Sequence, residues 1–371
     1  MGGIEKSFTG STIKNRIEGL DLIRAAAIVF VVLNHTVEVV YGLHDVDVVN
    51  RLSTGAQWLA LIGFTLGRCG VPLFFFLSGY LLLPRAFDQQ STTKFYRRNV
   101  LNLLATWECW IVIYNLIIAA FEGMELNQET AFMLVPHAFD PIELLRAMVF
   151  IDAVDMMHAW YVGVILGIYL FVPFVARVLP SITDKQLSAL MTISFAYCFI
   201  LPTVARFTDV ELKPWIDLSF SGGLYGLYVV TGYILRRFEP TIDRTLKSIA
   251  LIPSTLGLII LIAYVQLNVY HNGGMFLIWY DFCLLPLAAI GLFIAIKRIS
   301  ARSRLIEMLS RFSFGIYLLH APILILMVKY DVLSTLGRSA KAFCWLIAIV
   351  AMCCLTVKAF GVVQRFLFRV K

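Results

Sequence analysis

Two ionisable side chains lie inside the first long apolar run of the sequence. Arg24 and His35 are eleven residues apart, so a helix would place them on one stripe about 16 Å apart along its axis. Near neutral pH, a histidine can act as a general base or as a nucleophile. Glu38 follows His35 by three residues, close enough on a helix to orient the imidazole. We therefore expect catalytic roles for Arg24, His35 and Glu38. In the alternative, His35 only bonds a neighbouring helix and Arg24 extends to the lipid headgroups.

Another charge interrupts the second apolar run. Arg68 is followed by Gly70 and Pro72, which predict a break or kink in the helix beside the charge. A charge in hydrocarbon is costly, so it normally faces a bundle interior or a wet cavity. A fixed positive group in a dry site can stabilise an oxyanion, and we expect this catalytic role for Arg68. Asp281 and Lys358 are further charges inside apolar runs and are candidate partners of Arg68 or of each other.

A basic cluster follows the second apolar run. Arg97 and Arg98 lie in the sequence Lys-Phe-Tyr-Arg-Arg, and arginine side chains match the geometry of phosphate oxygens. Together with Arg24 they are candidates for binding an anionic cytosolic cofactor. The alternative is the ordinary excess of basic residues on the cytoplasmic side of a membrane protein.

Aromatic and histidine side chains near two later apolar runs are candidates for binding a substrate. His158, Trp160 and Tyr161 stand at the start of the fourth run, where they could stack on a sugar or simply anchor the helix at the membrane interface. Tyr317 and His320 are i, i+3 neighbours in the ninth run and face one way on a helix. They could contact substrate or serve helix packing.

The composition is that of an integral membrane protein. Of the 371 residues, 60% are hydrophobic and 15% are charged, and the mean hydropathy is +0.81. A soluble chain would carry about a quarter charged residues. The net charge of +7 could suit nucleic acid, but the basic residues follow membrane topology, so we expect the lipid bilayer and no nucleic acid as a partner.

The apolar runs predict an all-α bundle of about ten membrane-spanning helices. Lys and Arg are about three times as frequent in one set of connections as in the other, which predicts that both termini are cytoplasmic. We expect one transmembrane domain over 1–371 with no appended soluble domain, and no cleavable signal peptide, because the first run is too long. The predicted spans are 20–41, 57–83, 100–121, 160–180, 187–205, 217–235, 248–269, 275–296, 312–330 and 342–364.

The longest connection, at about 122–159, is predicted to lie on the outer side and is mostly acidic. Within it, Asp140 and Pro141 predict the start of a short helix, with the aspartate as cap and the proline at the first helical position. The sequence has no Walker loop, no dinucleotide-binding glycine motif, no His-Glu-x-x-His and no nucleophile elbow. We therefore expect no metal.

These motifs together resemble acyltransferase family 3, the ten-helix membrane O-acyltransferases that modify cell-surface polysaccharides and related hydroxyl compounds. Four family motifs occur in order along nearly the whole chain. The matches are Arg24 and His35 for Arg-x10-His, residues 74–80 for Phe-Phe-x-Leu-Ser-Gly-Tyr, the basic pair Arg97 and Arg98, and residues 313–320 for Ser-x-Gly-Ile-Tyr-Leu-x-His.

The chain departs from many members of the family after Trp160, where Tyr161 stands in place of a glutamate. In this respect it is similar to the branch that contains bacterial acetyltransferases of surface polysaccharides such as enterobacterial common antigen. A role that other members assign to that glutamate cannot be transferred to this chain.

The resemblance implies an O-acetyltransferase of the bacterial cytoplasmic membrane. It would move an acetyl group from cytosolic acetyl-CoA to a hydroxyl of an extracytoplasmic or lipid-linked glycan. His35 would either deprotonate the acceptor hydroxyl or carry the acetyl group itself, and the sequence leaves both routes open. The alternative function is transport of a small solute or lipid-linked glycan without acyl transfer. A weaker alternative is a non-catalytic sensor or scaffold.

Overall fold

The computed structural model describes residues 5–122, 133–208, 211 and 222–368, and these residues are mostly helical. Sixteen α-helices are seen in this part of the chain. In order, they are α1 Glu5–Tyr41, α2 Val46–Asn50, α3 Thr54–Arg68, α4 Gly70–Leu82, α5 Gln89–Phe95, α6 Leu101–Ala120, α7 Pro141–Met148, α8 Trp160–Val178, α9 Asp184–Phe195, α10 Leu201–Arg206, α11 Gly223–Arg237, α12 Glu239–Thr245, α13 Ser248–His271, α14 Leu284–Lys297, α15 Arg304–Lys329 and α16 Arg338–Phe368. Short π-helical turns, Tyr96–Val100 and Ala196–Ile200, join α5 to α6 and α9 to α10.

The described helices confirm an all-α polytopic membrane protein. Eight helical segments are long and apolar enough to cross a membrane. They are Gly19–Tyr41, Thr54–Leu82, Gln89–Ala120, Met157–Ser181, Asp184–Arg206, Ser248–His271, Arg304–Lys329 and Arg338–Phe360. The two remaining predicted spans coincide with the shorter helices α11 and α14, and residues 217–221 of the first of these spans lie outside the described residues.

Helix α1 is the central element of the bundle. It packs against α3, α4, α14, α15 and α16. His35 and Glu38 on this helix are therefore surrounded by protein, which is where intramembrane ionisable groups are normally found.

The second predicted span is broken beside its charge, as the glycine and proline predicted. Helix α3 ends at Arg68, Cys69 forms a turn, and α4 begins at Gly70. This break places Arg68 at a helix end inside the bundle, facing the segment that precedes α14.

The predicted span 275–296 is wrong in its first half, because helix α14 begins only at Leu284. Gly273, at φ +78°, lies just beyond the end of α13. Non-helical backbone at membrane depth is tolerated where protein satisfies its polar groups. Three neighbouring side chains do so here. Gln266 Oε1 accepts from the Ile278 N–H at 3.2 Å, the Tyr228 hydroxyl donates to the Tyr280 carbonyl at 2.7 Å, and Thr203 Oγ1 accepts from the Cys283 N–H at 2.9 Å.

Helices α4 and α11 cross at two glycines. A Cβ atom on Gly79 would lie 1.7 Å from the Val229 carbonyl oxygen, and one on Gly232 would lie 2.1 Å from the Phe76 carbonyl oxygen. Both distances are far below van der Waals contact, so any larger residue would force the helices apart. This close crossing fixes the position of α4 against α11.

The connection before α8 is anchored to the bundle. Helix α7 starts at Pro141, and the Asp140 side chain accepts from the Ile142 N–H at 2.7 Å, which confirms the predicted helix start. The Met157 N–H donates to the Met133 carbonyl at 3.0 Å. Residues 123–132 of this predicted acidic connection are outside the described part of the chain. The anchored end positions the residues that follow Met157 against α15.

Candidate active site

His35 and Glu38 form a hydrogen-bonded pair on α1. His35 Nδ1 lies 3.0 Å from Glu38 Oε2, and the glutamate is 2% exposed. A carboxylate can only accept, so Nδ1 carries the hydrogen and Nε2 holds a lone pair. This is the contact that the i, i+3 spacing predicted. It leaves His35 with a nitrogen that can take a proton or attack a carbonyl carbon.

A further histidine engages the other oxygen of this carboxylate. His44 Nε2 lies 3.0 Å from Glu38 Oε1, so both oxygens of Glu38 accept from imidazoles. Helix α1 ends at Tyr41 and is followed by Gly42 at φ +67°. The Leu43 N–H donates back to the Glu38 carbonyl at 3.0 Å. This glycine-terminated helix end turns the chain back toward the helix. His44 was not among the predicted site residues, because it lies beyond the helix where spacing rules apply.

Two more imidazoles complete a buried cluster around His35. The ring centroids of His35 and His320 are 5.4 Å apart, and those of His158 and His320 are 4.9 Å apart. His320 Nδ1 lies 2.6 Å from the Tyr317 carbonyl oxygen, which can only accept. Nδ1 of His320 therefore carries the hydrogen, and its Nε2 holds the lone pair.

The tautomer of His158 is fixed by Tyr114. The Tyr114 hydroxyl donates its hydrogen to the Leu318 carbonyl at 2.7 Å, so it accepts from His158 Nε2 at 3.1 Å. The lone pair of His158 is then on Nδ1. Among the described residues, His158 Nδ1 and His320 Nε2 have no hydrogen-bond partner. They are two buried acceptors next to His35, which suits a substrate that brings hydroxyl groups.

Arg68 lies against aromatic rings. Its guanidinium carbon is 4.6 Å from the ring centroid of Phe64, 5.0 Å from that of Trp279 and 5.6 Å from that of Tyr280. The residue is 4% exposed, and its Nε has no hydrogen-bond partner in the described part of the chain. Cation–π contacts of this kind stabilise a desolvated guanidinium. A buried donor is thus left available.

The two other intramembrane charges lie elsewhere. Asp281 pairs with Arg206 at 3.0 Å, and Lys358 is exposed. The candidate pairing of Arg68 with either residue is therefore wrong. Sequence analysis missed Trp279 and Tyr280 as neighbours of Arg68, because both residues fall in the part of the predicted span 275–296 that is not helical.

A small pocket, called here the histidine pocket, brings six of the predicted residues together. They are His35, Arg68, His158, Trp160, Tyr161 and Tyr317. Its free volume is about 20 Å³, which is room for roughly one water-sized group. His320 and Glu38 lie behind its wall and contact His35.

A larger space, called here the arginine cavity, lies on the other side of Tyr161 and Tyr317. Its volume is about 290 Å³, and Arg24 lies in its wall. The other polar groups in that wall come from Ser78, Arg85, Asn99, Tyr169 and Ser313. Arg24 also lies 3.3 Å from the Ser310 hydroxyl and 3.4 Å from Asp21.

Two predicted cofactor-binding residues are placed outside this wall. Arg97 and Arg98 are exposed in the π-helical turn Tyr96–Val100, and the next residue, Asn99, lines the arginine cavity. Arg85 does line the arginine cavity. It was not among the predicted site residues, because a single basic residue in a connection gives no distinctive signal.

Comparison with known proteins identifies the family. Residues 17–358 match a family model described as an acyltransferase domain. The chain belongs to acyltransferase family 3. It is 27% identical over 285 residues to the succinoglycan biosynthesis protein ExoH of Rhizobium meliloti (strain 1021), a match that covers 73% of this chain and 69% of that protein. No solved structure matches it.

The two spaces bring together kinds of chemical groups that acyl transfer requires. As a membrane acyltransferase, the protein needs a base or nucleophile, a group that stabilises an oxyanion, and a space for the acyl donor. His35, Arg68 and the arginine cavity have these properties. Within the described residues, no group of three or more His, Cys, Asp or Glu side chains is arranged to hold a metal ion.

Proposed function

We propose that this acyltransferase moves an acetyl group from cytosolic acetyl-CoA to a hydroxyl of an extracytoplasmic or lipid-linked glycan, in the bacterial cytoplasmic membrane. The observation that carries this proposal is the position of His35. Its Nε2 lone pair is set by Glu38 at 3.0 Å, and the residue lines the pocket that adjoins the arginine cavity. The name of the relative ExoH, a succinoglycan biosynthesis protein, supports a polysaccharide as acceptor.

The arginine cavity suits an acyl-CoA donor. Arg24 and Arg85 in its wall can bind phosphate oxygens, and both lie toward the predicted cytoplasmic side of the membrane. The exposed Arg97 and Arg98 lie two residues and one residue before Asn99 of the same wall and would contact the outer part of the nucleotide. The thin pantetheine arm would then extend toward His35.

The chemistry follows from the tautomer of His35. In the direct route, His35 Nε2 takes the proton of the glycan hydroxyl while the oxygen attacks the thioester carbonyl carbon. The carbon–sulfur bond then breaks, and the thiolate takes the proton back from the imidazolium. In the second route, His35 Nε2 attacks the thioester carbonyl carbon, the carbon–sulfur bond breaks, and the thiolate leaves. The glycan oxygen then attacks the acetyl carbon on His35, the carbon–nitrogen bond breaks, and the thiolate takes the hydroxyl proton. In both routes Arg68 stabilises the oxyanion.

The acceptor would approach His35 among the other imidazoles. His158 Nδ1 and His320 Nε2 are buried acceptors without partners among the described residues, and sugar hydroxyls are donors that satisfy such groups. Trp160 and Tyr161 line the same pocket and offer ring faces for stacking.

The test is transfer of radiolabelled acetyl from acetyl-CoA in membranes that contain the wild-type protein. Mild alkali releases ester-bound acetyl from the extracted glycan, so alkali-labile label reports O-acetylation. We expect this label with wild type and its loss with His35→Ala at equal protein level. His271→Ala is the matched control, because His271 is an exposed histidine bonded to Gln57 at 3.3 Å and lies outside both cavity linings.

The outcomes separate the parts of the proposal. Label that persists in His35→Ala would show that His35 is not the catalytic group, while the protein would still be an O-acetyltransferase. Absence of label from wild type supplied with glycan from its own host would contradict O-acetyl transfer, and a substrate flux without acetyl consumption would then favour the transporter.

A further inference from the structure

The histidine pocket and the arginine cavity meet at two tyrosines. Among the residues described, Tyr161 and Tyr317 are the ones that line both spaces. Their ring centroids are 5.4 Å apart, with an angle of 59° between the ring planes. His35 lies on one side of this pair and Arg24 on the other. These two rings therefore stand at the junction of the two spaces.

The two tyrosines are held differently. The Tyr317 hydroxyl donates to the backbone carbonyl of His158, which fixes its ring between α15 and the start of α8. The contacts of Tyr161 are ring contacts, with centroid distances of 5.1 Å to Phe75 and 6.3 Å to Phe74. Ring contacts are less directional than a hydrogen bond to a carbonyl. Tyr161 is therefore the side chain that can turn aside at lower cost.

We propose that the Tyr161–Tyr317 pair is a partition that selects for acyl chain length and keeps water away from the thioester. This inference rests on the proposed function, because it assumes that an acyl-CoA enters the arginine cavity. The acyl group would reach His35 between the two rings, and each added methylene would then need space beyond them. Beyond the partition, the histidine pocket has only about 20 Å³ for the chain.

The same partition would prevent a wasteful reaction. If water from the arginine cavity followed the acyl group into the histidine pocket, its oxygen could attack the thioester carbonyl carbon there. The carbon–sulfur bond would break and the thiolate would take the proton, giving free thiol and acetic acid. Two large rings between the spaces exclude water until an acceptor is in place, which is a common reason for enclosing an active site.

Tyr161→Ala tests the partition, because it removes a ring from the junction and merges the two spaces. We expect the rate with butyryl-CoA relative to acetyl-CoA to rise at least about tenfold, since butyryl has two more methylenes than acetyl and discrimination of one methylene in an apolar site is worth about tenfold or more. We also expect hydrolysis of acetyl-CoA without acceptor to rise about tenfold. Tyr161→Phe keeps the ring and should match wild type in both ratios. Tyr161→Leu, which retains apolar bulk, serves if the alanine variant does not accumulate.

The matched control is Tyr169→Ala. Tyr169 lies two helical turns further along α8, bonds the Ser78 hydroxyl at 3.2 Å, and lines the arginine cavity but not the histidine pocket. Its removal enlarges the cavity away from the junction. We expect a changed KM for the donor, with the butyryl-to-acetyl ratio within about twofold of wild type.

The results decide the inference separately from the proposed function. Wild-type ratios in Tyr161→Ala or Tyr161→Leu, with acetyl transfer retained, would overturn the partition and leave the acetyltransferase proposal intact. An equal rise in Tyr169→Ala would also overturn it, because general enlargement would then explain the effect. Absence of acetyl transfer by wild type would instead defeat the proposed function.

Discussion

His44 Nε2 lies 3.0 Å from Glu38 Oε1, on the carboxylate oxygen that His35 does not use. The glutamate is 2% exposed, whereas the His44 side chain is 34% exposed. The carboxylate that orients the proposed base is thus held from its other side by an imidazole near the predicted outer surface. A carboxylate with both oxygens bound has a fixed plane, and this fixes the tautomer of His35.

His44→Ala should lower kcat about tenfold with little change in the KM for acetyl-CoA, because His44 positions Glu38 and touches no substrate. His44→Gln can place an amide N–H near Glu38 and should recover much of the rate. Steady-state assays on purified protein measure both. If the alanine and glutamine variants lose activity equally, the imidazole has a role other than holding the carboxylate.

Glu38→Gln should lower kcat about a hundredfold or more. The amide keeps the size of the side chain but removes the charge and no longer enforces the hydrogen on His35 Nδ1. Loss of the orienting carboxylate behind a catalytic histidine has effects of this order or larger. Single-turnover acetyl transfer measures the step directly, and a rate within threefold of wild type would show that Glu38 does not orient His35.

Arg68→Met should abolish most activity and leave the fold intact. Methionine retains apolar contact with Phe64 and Trp279, while the buried charge and its unpartnered Nε are lost. Removing an oxyanion-stabilising group typically lowers kcat by about 10²–10³. Acetyl transfer and thermal unfolding are measured on the same preparation. Retained activity would contradict the oxyanion role, and Arg68→Lys, which keeps a charge, should lose less than the methionine variant.

Arg24→Ala and Arg85→Ala should each raise the KM for acetyl-CoA by roughly tenfold, because a charge-assisted hydrogen bond to phosphate contributes about 1.5 kcal/mol or more. Arg97→Ala and Arg98→Ala should have smaller effects, since both side chains are exposed outside the cavity wall. Titration of initial rates with the donor compares the four variants. If Arg97→Ala or Arg98→Ala raises the KM more than Arg24→Ala does, the donor phosphates bind outside the cavity wall.

Gly79→Ala should prevent stable folding. Its Cβ would lie 1.7 Å from the Val229 carbonyl oxygen, so α4 and α11 would have to separate along their crossing. Gly163→Ala is the matched control, because nothing lies within 4 Å of a Cβ at Gly163. Size-exclusion profiles and thermal unfolding in detergent should show loss of the first variant and a melting temperature close to wild type for the second. Equal stability of both would contradict the close crossing.

The sequence by itself determined the membrane class, the contact of His35 with Glu38 on α1, and the broken second span. These features are local. Helical spacing decides that His35 and Glu38 meet, and Gly70 with Pro72 decides where the helix breaks. A hydropathy profile identifies spanning segments because backbone groups inside the lipid have no water to bond. A helix must satisfy these groups over the whole thickness of the hydrocarbon.

Only the tertiary structure decided which distant groups meet. Arg68 lies over Trp279 and Tyr280, and Asp281 pairs with Arg206. These contacts depend on how helices pack, which a hydropathy profile does not encode. The segment before α14 was predicted to be helical. It is irregular, and Gln266, Tyr228 and Thr203 supply hydrogen bonds that a helix would otherwise make for itself.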